Sequence, residues 1–90
     1  MSYSLRNRGR IDMASTSEKW ADYARRHLKA ELKRADVGYA ELAKRLTDLG
    51  IPETETSVAA KVNRGAFPAW FLFAVMRALG LHTLRVEDWS

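Results

Sequence analysis

The sequence predicts an all-α fold, a bundle of four to five helices, and three observations carry that expectation. Apolar residues return at i, i+3 and i+4 along most of the chain, the spacing of one helix face. Gly50, Gly65 and Gly80 stand where such runs stop, and Ile51 and Leu81 supply the hydrophobe expected after a glycine C-cap. Alternation is confined to the tail, Leu84-Arg85-Val86-Glu87-Asp88-Trp89, which fits a short strand or a last helical turn.

Ninety residues make one small domain, and a chain of that size needs a dense core. The 47% hydrophobic content, with nine aromatic residues, supplies it. The absence of cysteine excludes a disulfide framework and thiolate zinc sites, and it fits a reducing compartment. No apolar run approaches the roughly 20 residues of a membrane span. Residues 1–13 hold arginines but no apolar signal-peptide centre. A cytoplasmic protein with no membrane partner is expected.

Residues 1–14 show no period and read as a flexible basic arm, leaving 15–90 as the folded domain. Arg6, Arg8 and Arg10 could lie in a minor groove or along phosphates. A plain leader, or an extension ahead of a start at Met13, accounts for them more simply. Ser15 and Glu18 have capping-box spacing, with Thr16 or Ser17 as alternative caps. The first helix then runs to about Ala35 on a stripe of Trp20, Ala24, Leu28 and Leu32. Its other faces are basic, and Arg25 and Lys29 there are candidate phosphate contacts, although such a face is more often simply solvated.

Asp36 stands where a left-handed C-cap residue belongs, and Val37 should fold back onto the helix end. Gly38 then caps a second helix, Tyr39 to Leu49, with Tyr39, Leu42, Ala43, Leu46 and Leu49 inward. Pro52 forbids continuation. A third helix starts near Thr54 or Thr56, points Val58 and Val62 inward, and ends at Gly65. Phe67-Pro68 opens a fourth, where Ala69 to Met76 carries eight consecutive apolar residues. A helix apolar all round must be covered all round, so part of it should meet a second copy. Trp70, Phe71, Phe73 and Trp89 are the expected dimer contacts.

Other chemistry finds little support. His27 and Glu31 have i,i+4 spacing, but two ligands without cysteine or a neighbouring histidine make a poor metal site. Serines and threonines cluster at helix starts, and there is no glycine-rich phosphate loop, so no catalytic constellation, cofactor or small-molecule ligand is expected. The aromatic residues Trp20, Tyr23, Tyr39, Phe67, Trp70, Phe71 and Phe73 suit core packing better than base stacking.

The order of landmarks from Leu28 to Leu81 resembles the Cro/CI repressor-type helix-turn-helix. These landmarks are Leu32-Lys33-Arg34, Glu41-Leu42-Ala43, Asn63-Arg64-Gly65 and Ala78-Leu79-Gly80, within some 54 of the 90 residues. The whole also looks like a small bacterial family of uncharacterised domains that pairs YAELAKRL with NRG. The repressor resemblance implies that Ala43 is the small residue between the two motif helices. It implies that Thr56, Ser57, Ala60 and Lys61 face bases, and that Arg64 is the polar or basic residue before the closing glycine. The chain departs from that family in having Tyr39 where a glutamine is usual, a longer interval from Ala43 to Gly65, and Glu53 and Glu55 at the start of the third helix.

Net charge is +4, which favours an anionic partner. Residues 36–65, however, set Lys44, Arg45, Lys61 and Arg64 against Asp36, Glu41, Asp48, Glu53 and Glu55, a net −1. The expected function is a dimeric, sequence-specific transcriptional regulator of double-stranded DNA. Arg64, Lys44, Arg45, Arg25 and Lys29 would lie on phosphates. The alternative is a protein-interaction module, a partner subunit or antitoxin-like protein, that keeps the fold without binding DNA.

Overall fold

The computed structural model describes residues 4–84 and 86, with side chains from residue 16 onward. The fold is all-α, with helices α1 (Ser4–Ala35), α2 (Tyr39–Asp48), α3 (Glu55–Arg64) and α4 (Ala69–Ala78). Among the described residues there is no strand, and 81–84 and 86 adopt no regular structure; the rest of the alternating tail, 85 and 87–89, lies outside the described residues. Among the described residues no helix is long and apolar enough to cross a membrane.

α1 begins eleven residues earlier than the Ser15–Glu18 pattern suggests, so Ser15, Thr16 and Ser17 lie inside the helix and do not cap it. No proline interrupts this stretch. Extending an anchored helix adds a hydrogen bond per residue without a new nucleation penalty. Residues 4–14, expected as an arm, are the backbone of its first turns. The side chains of Arg6, Arg8 and Arg10 fall outside the described residues, as does Trp89. At about 1.5 Å per residue, α1 sets the long axis of a molecule 55 × 24 × 18 Å across.

The ends of α1, α2 and α4 share one device. Asp36, Gly50 and Gly80 take φ of 57°, 92° and 73°. The amides of the hydrophobes that follow turn back: Val37 N–H to Leu32 O at 2.9 Å, Ile51 N–H to Leu46 O at 2.9 Å, and Leu81 N–H to Met76 O at 2.8 Å. Each bond satisfies a carbonyl that the helix end would otherwise leave unpaired.

The core gathers Leu28 and Leu32 of α1, Leu42, Ala43 and Leu46 of α2, Val58 and Val62 of α3, and Phe71 and Val75 of α4, with Val37 between α1 and α2. α2 packs on both α3 and α4, and α1 on α3. The α1–α3 crossing depends on Gly65. A Cβ at that residue would lie 2.1 Å from the carbonyl oxygen of Ala21.

Two expected core residues are placed elsewhere. Leu49, at the end of α2, and Trp20, on α1 before that helix reaches the core, are about half exposed. Trp70 and Phe73 of α4, expected at a dimer interface, are exposed by 52% and 62%. Phe71, expected at a dimer interface, is fully buried instead. Its neighbours in space decide this: α2 packs against α4, and Phe71 meets Phe67 at a ring separation of 5.4 Å.

Candidate nucleic-acid interface

The start of α3 is built by a chain of short-range contacts. Thr54 is the N-cap, and its hydroxyl oxygen accepts from Ser57 N–H at 3.1 Å. Ser57 Oγ accepts from Thr54 N–H at 2.9 Å, closing a reciprocal capping box. That hydroxyl in turn donates to Glu53 Oε1 at 2.5 Å. Lys61 Nζ donates to the same oxygen at 3.2 Å and lies 5.7 Å from the centre of the Phe71 ring. Thr47 fixes the preceding turn, its hydroxyl donating to Glu53 O at 3.2 Å and accepting from Glu53 N–H at 3.3 Å.

These contacts redistribute the residues expected to face bases. Ser57 and Lys61 are half-buried and tied to Glu53, so they hold the helix start together. Thr56 and Ala60 are exposed, and so are Asn63 and Arg64. Residues 56, 60, 63 and 64 follow i, i+4, i+7 and i+8, one continuous outward stripe. Asn63 joins the expected residues on this face, and the helical period from Thr56 and Ala60 is the signal that points to it.

The acids at this end behave differently from each other. The Glu53 side chain is only 5% exposed and is paired with Lys61, so it turns inward, whereas Glu55 remains exposed. The negative charge presented at the start of α3 is therefore one carboxylate rather than two. Burial of Glu53 depends on that pairing, since an unpaired carboxylate resists leaving water.

The expected phosphate contacts also divide. Lys44, Lys29 and Arg64 are exposed and make no ion pair or hydrogen bond among the described residues, and the same holds for Lys33. Arg45 pairs with Glu41 at 3.0 Å and donates to Ala78 O at 3.0 Å. It thereby ties α2 to the carbonyl end of α4, where a cation is favoured. Arg25 and Arg26 both pair with Asp22. Farther along α1, Glu31 accepts from Arg34 at 2.8 Å and raises its pKa, first through that hydrogen bond and then through its charge. Lys29 and Lys33 border a shallow depression with Leu32, Val37, Gly38 and Tyr39, where α1 gives way to α2.

His27 stands 3.8 Å from Glu31, and no group of three or more His, Cys, Asp or Glu side chains among the described residues could hold a metal. The arrangement offers a polar helix face and scattered cations.

Residues 20–84, which are 65 of the 90, match the family described as Domain of unknown function (DUF6471). The chain belongs to this family. No curated protein and no solved structure matches it. The DUF6471 segment opens at Trp20, beside the Ala21 carbonyl that α3 approaches, and runs through all of α2, α3 and α4. It contains the α3 stripe, the Glu53–Lys61 pair and the exposed aromatics of α4, and it excludes Arg6, Arg8, Arg10 and Trp89.

Proposed function

We propose that this DUF6471 protein is a sequence-specific DNA-binding regulator that sets α3 in the major groove. The observation that carries the reading is the outward stripe of α3. Thr56, Ala60, Asn63 and Arg64 are small or polar, exposed and without internal partners, while Glu53, just before the helix, is turned away onto Lys61 and leaves Glu55 as the one exposed acid there. Small and amide side chains suit close approach to base edges, and an asparagine can bond adenine in bidentate fashion. Ser57 and Lys61 act by fixing the helix start, so Thr56 is delivered to the groove by a rigid N-terminus. Arg64 and Lys44, with Lys29 and Lys33 on α1, supply the cations available for phosphates.

The test is retention of genomic fragments by the full chain at two salt concentrations, followed by sequencing of the bound pool. A shared motif whose retention falls steeply with salt is the expected result. Retention that is absent, or indifferent to salt, overturns the reading. The exposed Trp70 and Phe73 favour a second reading, a protein-interaction module. Co-purification of a defined partner together with flat DNA titrations would establish it over the first.

A further inference from the structure

We propose that a second copy of this chain covers the outer face of α4, in an antiparallel pair that sets each Trp70 against the partner's Arg77. The face carries two large aromatic side chains within one turn, Trp70 and Phe73, both more than half exposed. Pro68 and Ala69 extend it toward the helix start, and both are exposed. Single exposed hydrophobes are ordinary on a monomer, but adjacent aromatic ones form a patch.

The charge on α4 selects the occupant and its direction. Arg77 is the helix's only charged residue, is exposed, and makes no ion pair among the described residues. Trp70 lies three residues before Phe73 and Arg77 four after it. An antiparallel pair with its two-fold axis beside Phe73 brings each indole onto a guanidinium, forming the same cation–π contact twice. A parallel pair would set Arg77 against Arg77, a like-charge contact with nothing to offset it.

The shape agrees. A shallow groove bounded by Phe73, Met76, Arg77, Gly80, Leu81 and Leu84 opens on the Arg77 side of the patch. Antiparallel pairing delivers the partner's indole to that groove. The projecting ring and its socket therefore sit seven residues apart on one face, the self-complementarity a two-fold contact requires. Among the described residues Arg77 is the one Lys or Arg on this face, so a nucleic acid would find a single such cation beside aromatic rings, and an acidic partner no more.

A contact confined to a pair of ten-residue helices is small beside the roughly 1,200 Å² and more of stable complexes, so a reversible association is the form to test for. The pairing does not depend on the DNA reading, because it is measured without DNA.

Sedimentation equilibrium of the full chain, from low micromolar to near-millimolar concentration, is expected to show reversible monomer–dimer exchange. Phe73→Glu should abolish it while leaving the helical circular dichroism unchanged, since Phe73 takes no part in the core. Trp70→Ala and Arg77→Ala should each weaken dimerisation about tenfold, and the double variant should be no weaker than either single one. A monomer at every concentration, or a dimer untouched by Phe73→Glu, overturns the proposal. Fully additive Trp70 and Arg77 losses overturn the antiparallel pairing. Salt-sensitive DNA retention by the Phe73→Glu monomer would leave the DNA reading standing on its own.

Discussion

Replacing Gly65 with alanine tests the packing of α1 on α3 more directly than any core truncation. Two effects add at this residue. Its φ of 69° lies in the left-handed region, where an L side chain costs about 1–2 kcal/mol. The new Cβ would also stand 2.1 Å from Ala21 O and 2.9 Å from Ala21 C. Both neighbours are backbone atoms in the middle of α1, so no side chain can swing aside. Reaching even a 3.0 Å contact requires α1 and α3 to separate by about 0.9 Å. Overpacking of that kind costs about 1–3 kcal/mol, for a total near 2–5 kcal/mol. Gly50→Ala and Gly80→Ala isolate the first effect, because those residues have φ of 92° and 73° but nothing within 4 Å of the added Cβ. For a domain of this size about 1 kcal/mol lowers Tm by roughly 4–8 °C. Urea titration and thermal melting of the three variants should therefore rank Gly65→Ala well below the other two. If it lost no more stability than Gly80→Ala, the close α1–α3 approach would be refuted.

Thr54→Ala and Ser57→Ala should each destabilise by about 1 kcal/mol in urea titrations, and the pair should fall short of the sum because they share one capping box. Neither should change the DNA motif retained, whereas Thr56 and Asn63 substitutions should. Lys61→Ala leaves Glu53 turned inward without its cation. The loss should be about 1–2 kcal/mol, less than for a fully buried pair because the Lys61 side chain is 30% exposed, and adding Glu53→Gln should recover part of it. Arg64→Ala and Lys44→Ala should weaken DNA binding evenly across sequences, each reducing the log–log salt slope by about 0.9 if it removes one phosphate contact.

What the sequence determined by itself is the set of helix ends and the buried stripes of α2 and α3. The signals for these act over a few residues. Asp36-Val37, Gly50-Ile51 and Gly80-Leu81 encode left-handed caps whose hydrogen bonds close within five residues. Leu42 and Leu46, like Val58 and Val62, have polar neighbours on the opposite face, so the helical period alone turns them inward. The start of α1 escaped because Ser15–Glu18 has the composition of a cap without being used as one; a helix held further along extends through such a stretch. The rotation of α4 was not written locally either. Ala69 to Met76 is apolar at every position, so no polar face orients it, and only packing against α2 decides that Phe71 and Val75 go in while Trp70 and Phe73 stay out. The same holds for the candidate site. The inward turn of Glu53 onto Ser57 and Lys61 comes from a residue outside α3, brought round by the turn before the N-cap, and the reach of Arg45 to Ala78 joins residues on different helices. Gly65 shows both levels at once. Its sequence position marks a helix stop, whereas its place against Ala21 sets how closely α1 and α3 pack, because a backbone-to-backbone approach leaves no trace in side-chain pattern.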